Sequence, residues 1–134
     1  MKSAEIKEQI MFYDTDCGGV VSNIAYLRFV EKARSALFEK WGMSFDEIAS
    51  TLLFPVVART EIDYLRPAKL GDWLIVRARV ARFEKVRIHC DFELLPASSC
   101  LDPEHCFARA SQQVVLVQMP SGRPRRIPPE WFES

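Results

Sequence analysis

Residues 11–42 read MFYDTDCGGVVSNIAYLRFVEKARSALFEKWG. This segment combines the end of a strand, a glycine loop with two aspartates, and a long helix. Residues 23–41 contain neither Pro nor Gly and predict a helix of about five turns. Ser22 or Asn23 can cap its start, because either side chain can accept from the free amides of the first turn. Gly42 fits its C-terminal end.

The predicted helix has a wide apolar face. Its polar side chains share one arc of roughly 100°, and they are Arg28, Glu31, Lys32, Ser35 and Glu39. The remainder of its circumference is apolar except at Arg34 and Lys40. An ordinary surface helix shows a narrower stripe, so this helix needs cover on most sides. A curved sheet wrapped around it would supply that cover.

Several other segments alternate apolar and polar residues in the manner of β-strands. They are residues 5–13, 55–66, 73–83, 86–95 and 107–119. In the second segment we expect one shared face for Val56, Ala58, Thr60, Ile62 and Tyr64. This alternation is typical of an antiparallel sheet with one buried face and one solvated face. The sequence therefore predicts an α+β fold, with the sheet around the long helix.

The remaining segments connect or end these elements. Ser44 is a suitable N-cap for a short helix within residues 43–53, whose apolar side chains can line a pocket or join the core. We expect a polar hairpin connection over residues 97–104. Residues 120–132 are Pro-rich and basic, so we expect them to be extended rather than helical.

Composition limits the class of protein. We expect one domain over residues 1–134, because 49% apolar residues suffice for a core in a chain of this length. The formal net charge is zero, which argues against general nucleic-acid binding. We expect no signal peptide in the charged N-terminus, and no apolar run approaches the ~18 residues of a membrane span. We therefore expect a cytoplasmic protein without a membrane partner.

The glycine loop is the first candidate for chemistry. On an extended strand, Asp14 and Asp16 would lie on the same side, and Gly18-Gly19 allows a sharp turn and close approach to a ligand. The following helix offers free amides and partial positive charge for a developing oxyanion. A carboxylate beside such amides suits acyl transfer. The alternative is that both aspartates only cap the turn and the helix.

Cysteine and histidine offer weaker candidates. The cysteines, Cys17, Cys90, Cys100 and Cys106, form no Cys-x-x-Cys motif, and Cys100-His105-Cys106 matches no zinc spacing. We therefore predict no metal and no cofactor. Cys17 lies in the loop but has no histidine near it in sequence, which favours a filler role. His89 and His105 are expected at the surface.

Two motifs resemble the 4-hydroxybenzoyl-CoA thioesterase family. The first is YDTDCGGVV at residues 13–21, followed by Tyr26 and by FVEKAR at residues 29–34. The second is DYLRPAKLGD at residues 63–72, and the resemblance continues to residues 123–129. It thus covers nearly the whole chain. The family has the hot-dog fold, in which an antiparallel sheet wraps one long helix, and it hydrolyses acyl-CoA thioesters.

This resemblance implies roles for particular residues. Asp16 matches the family's catalytic carboxylate, and the backbone amide near Asn23 matches its oxyanion donor. Gly19 and Val20 fall in the substrate-binding loop. The residues placed where the family binds the phosphates of coenzyme A are Lys85, Arg123 and Arg125. One departure is that Ser22-Asn23 replaces a Tyr-His pair of some bacterial relatives, so a backbone donor remains but an imidazole does not.

The leading hypothesis is therefore an acyl-CoA thioesterase. Asp16 can attack the thioester or activate a water, and the sequence leaves both routes open. A hot-dog hydratase or dehydratase would need a histidine that the loop and the long helix lack. A non-catalytic acyl-binding protein is the other alternative. The resemblance also implies a homodimer or homotetramer, and the open strand edges of a single sheet give an independent reason for self-association.

Overall fold

A computed structural model of the chain describes residues 2–97 and 105–133. The strands are β1 (Ser3–Gln9), β2 (Leu53–Tyr64), β3 (Trp73–Phe83), β4 (Arg87–Pro96), β5 (Ala108–Gln118) and β6 (Arg123–Arg125). The helices are α1 (Asn23–Glu39) and α2 (Phe45–Thr51), with 3-10 turns at Phe12–Asp14 and Pro129–Glu133. The strands form one antiparallel sheet in the order β1-β3-β4-β5-β2, and β6 pairs with β5.

Helix α1 is the element around which the core is built, as the sequence predicts. Ser22 is its N-cap, and its Oγ accepts from the Ala25 amide at 3.3 Å. The buried side chains of α1 are Ala25, Tyr26, Phe29, Val30, Ala33, Leu37 and Phe38. They join one hydrophobic core with alternate residues of the sheet, including Leu74, Val76, Phe92, Leu94 and Leu116. Removal of this apolar surface from water stabilises the helix inside the sheet.

Strand β2 departs from the predicted alternation. Its register against β5 shifts between Val57 and Arg59, which marks a β-bulge at Ala58. Val56 pairs with Val115, on the outer side of the sheet, whereas Thr60 pairs with the buried Gln112. The prediction that Val56 and Thr60 share one face is therefore wrong, because the extra residue of a bulge reverses the side on which later residues point.

The two ends of the sheet carry different loops and charges. At the loop end, β2 finishes at Tyr64 while β3 and β5 begin at Trp73 and Ala108, and residues 15–21 lie there. At the basic end, β2 begins while β3 and β5 finish, and Lys85 and β6 lie there. Strand β5 connects these ends and spans on the order of 30 Å at ~3.4 Å per residue.

The C-terminal segment packs at the basic end of the sheet. Its β6 strand is extended, as predicted, but Pro129–Glu133 forms a 3-10 turn that the sequence did not predict. Trp131 of this turn stacks on Trp41 with ring centroids 4.5 Å apart. That contact packs the turn against the segment that follows α1. From residue 98 onward, the predicted hairpin at 97–104 lies outside the described residues.

No helix of the described ranges combines the length and the hydropathy needed to cross a membrane.

Candidate active site

The glycine loop is a hairpin held by its own backbone. Thr15 and Val21 form an antiparallel bridge. The Asp16 amide donates to the Val20 carbonyl at 3.2 Å, and the Gly19 amide donates to the Asp16 carbonyl at 3.0 Å. Gly19 has a φ of 71°, a conformation that side-chain-bearing residues rarely adopt. The loop therefore presents Asp16 from a defined backbone position.

Asp14 is a buried structural residue. Its side chain is 1% exposed, its Oδ1 accepts from Arg28 Nη2 at 2.6 Å, and its Oδ2 accepts from the Met11 amide at 3.0 Å. Its carbonyl accepts from the Ser22 amide at 2.9 Å. Asp14 and Asp16 do not share a side, because Asp14 ends a 3-10 turn and a turn breaks the two-residue alternation of a strand.

Asp16 has the opposite environment. Its side chain is exposed, and Oδ1 accepts from the Gly18 amide at 3.2 Å. Its second carboxylate oxygen has no hydrogen-bond partner within residues 2–97 and 105–133. One oxygen is thus oriented by the loop while the other remains available to a ligand or a water. This combination suits a carboxylate that acts on a substrate.

The start of α1 supplies hydrogen-bond donors beside the loop. The first amides of a helix have no intrahelical acceptor, and Ser22 takes only that of Ala25. Among the residues that the structure describes, the amides of Asn23 and Ile24 have no acceptor outside the helix, so they are available to an external one. The Asn23 carbonyl accepts from the Tyr64 hydroxyl at 3.4 Å, which ties the helix start to the end of β2. The helix dipole adds partial positive charge at this position.

Tyr26 of α1 is connected to the glycine loop through hydrogen bonds to the segment of residues 66–68. Its hydroxyl accepts from the Ala68 amide at 3.1 Å and donates to the Arg66 carbonyl at 3.4 Å. The Ala68 carbonyl in turn accepts from the Val21 amide at 2.9 Å. Burial raises the pKa of the Tyr26 hydroxyl, because desolvation disfavours the phenolate. Tyr26 therefore stays protonated, and its hydroxyl holds the segment around Ala68 to which the loop is bonded.

The structure does not support a catalytic or metal-binding role for the other candidate residues. Burial raises the pKa of the Cys90 thiol to about 12, so it is inert at neutral pH. Cys17 is exposed in the loop. His89 lies on β4 and pairs with Glu84, away from the loop end. Within the described part of the chain, no group of His, Cys, Asp and Glu side chains is placed to hold a metal; Cys100 lies outside that part.

The structure places the three predicted phosphate-binding cations at the basic end. The Lys85 carbonyl accepts from the Ile127 amide at 2.9 Å, while Arg123 and Arg125 lie on β6. Arg125 Nη1 donates to Gln118 Oε1 at 3.1 Å, so this guanidinium is partly engaged. In a single chain these cations lie far from Asp16, at the other end of the sheet.

Two residues of interest were missed from sequence. Arg126 lines a cavity of about 310 Å³ at the basic end, together with Lys85, Phe83 and Phe132. Nothing local distinguishes Arg126 from its neighbours in a basic tail. Arg28 was assigned only to the polar arc of the helix, although it holds Asp14. Its spacing of fourteen residues from Asp14 gives no local signal, because the turn between them sets the contact.

Large apolar side chains surround the loop and the helix start. Phe12 is 80% exposed, Tyr13 76% and Ile24 79%. Trp73, at the start of β3, is half exposed. Exposed apolar surface of this kind marks a site for a ligand or for another protein surface.

Comparison with known proteins identifies what this architecture is similar to. The family model described as the thioesterase-like superfamily matches residues 10–133. A 1,4-dihydroxy-2-naphthoyl-CoA hydrolase of Synechocystis is 27% identical over 126 residues, covering 93% of this chain and 88% of the relative. The acyl-CoA thioester hydrolase YbgC of Escherichia coli is 26% identical over 120 residues, covering 90% and 86% respectively.

Solved structures agree with these sequence relatives. A probable thioesterase from Bartonella henselae superposes with a TM-score of 0.83 at 28% identity, covering 95% of this chain and all of that one. A 1,4-dihydroxy-2-naphthoyl-CoA thioesterase from Synechocystis superposes with a TM-score of 0.83 at 25% identity, covering 97% and 93% respectively. The predicted hot-dog fold, an antiparallel sheet around one long helix, is confirmed.

Proposed function

The chain belongs to the thioesterase-like superfamily and is a thioester hydrolase, and from this premise we propose that it hydrolyses acyl-CoA with Asp16 as the catalytic carboxylate. Within the superfamily we assign it to the 4-hydroxybenzoyl-CoA thioesterase family on the motif of residues 13–21. One observation carries the proposal. Asp16 is the loop carboxylate with a free oxygen, whereas Asp14 is committed to Arg28.

The proposed reaction uses both halves of the loop end. The thioester carbonyl oxygen accepts from the amides of Asn23 and Ile24, which stabilise the negative charge that develops on it. Gly19 and Val20 line the approach of the substrate. Asp16 either attacks the carbonyl carbon or removes a proton from an attacking water. In both routes the C–S bond breaks, the thiolate of coenzyme A takes a proton, and water supplies the oxygen of the free acid.

The phosphate contacts require a second chain. Lys85, Arg123 and Arg126 lie at the basic end, on the order of 30 Å from the loop along β5. If these cations and Asp16 bind one substrate, the cations come from a partner subunit. We therefore propose a site shared between two copies of the chain, with the dimer as the minimal active unit.

Strand β2 offers the surface for this pairing. It is the last strand of the sheet, and Val56 and Tyr64 are 44% and 43% exposed. An open edge of this kind can pair with a second strand. Two-fold pairing of two β2 strands is antiparallel, so it sets the Tyr64 end of one copy beside the Leu53 end of the other. The loop end of each copy then lies next to the basic end of its partner.

Release of free coenzyme A tests the function directly. The purified full chain is incubated with a panel of aliphatic and aryl acyl-CoAs and a thiol-detecting reagent. A thioesterase produces a thiol with at least one of these substrates. A non-catalytic acyl-binding protein would bind them without releasing thiol, and a hydratase would alter the acyl group instead. Either result would overturn the proposal.

Light scattering at micromolar concentration tests the shared site. We expect a mass of at least two chains of 15.4 kDa each. Full thioesterase activity in a species with the mass of one chain would contradict both the dimer and the shared site.

A further inference from the structure

An exposed stripe runs along α1 from the proposed oxyanion amides toward the middle of the helix. Ile24, Leu27, Glu31 and Ser35 follow one another at intervals of three and four residues, which places them on one face. Ile24 is 79% exposed and Leu27 is 40% exposed. The first half of this stripe is therefore an uncovered apolar track that begins next to Asn23.

The stripe leads to a cavity of about 230 Å³ between α1, α2 and the start of β2. Its walls are mostly apolar, and they include Phe38, Met43, Phe45 and Phe54. Its polar side consists of α1 residues, above all Arg34. This cavity is distinct from the loop and from the cavity at the basic end.

Arg34 is a charged group inside this apolar setting. Its side chain is only 12% exposed. Nη1 donates to Gln112 Oε1 at 2.9 Å, and Gln112 in turn donates to Thr60 at 3.1 Å. Its Nη2 also lies 3.6 Å from the carboxylate of Glu31, whose side chain is 68% exposed. Burial lowers the pKa of the Arg34 guanidinium, because the charged form loses solvation.

The hydrogen-bonding capacity of Arg34 exceeds these contacts. A guanidinium carries five N–H donors in a rigid fork. Gln112 and Glu31 engage one nitrogen each, and the described residues offer no further acceptor. Within the described residues, no nitrogen of Arg34 is both fully buried and without a partner, so its remaining N–H donors are accessible. An oxygen that enters the cavity can therefore accept from them, and such a charge-assisted hydrogen bond is stronger than one between neutral groups.

We propose that this cavity binds the far end of a long acyl group and that Arg34 donates hydrogen bonds to an oxygen carried there. Arg34 lies eleven residues beyond Asn23 on α1, about 16 Å along the axis, which an extended acyl chain of about twelve carbons spans. The substrate class is then an acyl thioester with a terminal hydroxyl or carboxyl group. This inference rests on the proposed thioesterase function, since Asn23 must hold the carbonyl.

A matched set of coenzyme A thioesters tests the proposal on the full chain. The set contains a plain straight acyl chain of about twelve carbons, the same chain with a terminal hydroxyl, the same chain with a terminal carboxyl, and a short butanoyl group. We expect kcat/KM for at least one oxygen-bearing chain to exceed that of the plain chain about tenfold or more. The hydroxyl and carboxyl arms identify which oxygen group the site prefers.

Two variants at Arg34 and one control locate the preference. In Arg34→Met the preference for the oxygen-bearing chain should disappear, because the donors are gone. Arg34→Lys keeps the charge and should retain part of the preference. Arg82→Met removes an exposed arginine from the outer surface of the sheet and should leave the preference unchanged.

The possible results distinguish a failure of the proposed Arg34 role from a failure of the proposed thioesterase function. Equal kcat/KM for plain and oxygen-bearing chains in the unmodified protein would overturn the role of Arg34 while hydrolysis stands. Hydrolysis of none of the thioesters would overturn the proposed function itself. Since the unmodified protein decides the first question, an Arg34→Met chain that fails to fold does not remove the test.

Discussion

The two ends of the sheet differ in how their polar groups are held. At the loop end, Asp14 is buried and bonded to Arg28 and to the Met11 amide, and the Asp16 carboxylate accepts from Gly18. At the basic end, Lys85, Arg123 and Arg126 are exposed. An aromatic cluster packs beneath these cations.

We relate this difference to two functions, bond cleavage at the loop end and phosphate binding at the basic end. Bond cleavage requires a carboxylate and amide donors at defined positions, so the loop end is braced by many short contacts. Attraction of a phosphate requires positive charge nearby and tolerates movement of a long side chain. We therefore expect substitutions at the loop end to change turnover and substitutions at the basic end to change KM.

The largest effect is expected from Asp16→Asn. Loss of the charged oxygen should reduce turnover at least ~100-fold, whichever of the two routes operates. The fold should survive because this side chain is exposed. Steady-state hydrolysis and thermal unfolding are measured beside Asp46→Asn, which changes an exposed aspartate of α2. Turnover near that of the unmodified protein would remove Asp16 from the site.

A smaller loss of turnover is expected from Asp14→Asn and Arg28→Met. Each breaks the ion pair that fixes the loop to α1, so Asp16 and the Asn23 amide lose their relative position. We expect roughly a tenfold fall in turnover with KM nearly unchanged.

The double variant is the control for this pair. If both residues act through their mutual contact, Asp14→Asn combined with Arg28→Met should lose little more than either single change. Fully additive losses would show that the ion pair is not the shared cause.

Mixing two impaired variants tests whether the loop end of one chain and the basic end of another form one site. Asp16→Asn chains are mixed with chains in which Lys85, Arg123 and Arg126 are all changed to alanine. In a random mixture, one complete site per mixed dimer should restore about a quarter of the activity of the unmodified protein at low substrate. Activity that stays at the average of the two parents would place the loop and the cations in separate sites.

The smallest effects are expected from single changes at the basic end. Lys85→Ala, Arg123→Ala and Arg126→Ala should each raise KM for acyl-CoA about threefold with little change in turnover, because remote phosphates bind equally in ground and transition states. Arg125→Ala should do less, since its guanidinium already donates to Gln118. The increases should shrink at high salt. An unchanged KM at low salt would contradict the phosphate role.

Local sequence patterns determined the elements. The absence of Pro and Gly after Asn23 predicted α1, and the hydroxyl side chains Ser22 and Ser44 both cap helices as expected. Alternating apolar residues predicted the strands β3, β4 and β5. These signals work because helix and strand periodicity are properties of neighbouring residues. The wide apolar face of α1 then required a sheet around it.

Only the tertiary structure decided the environment of each polar group. Sequence spacing treated Asp14 and Asp16 as a pair, yet Asp14 is buried and paired with Arg28 while Asp16 remains exposed. The bulge at Ala58 depends on pairing with β5, and Arg34 acquires its cavity from α2 and β2. Burial, ion pairing and register join residues that are distant along the chain. They are set by packing, whereas local periodicity is set by the backbone alone.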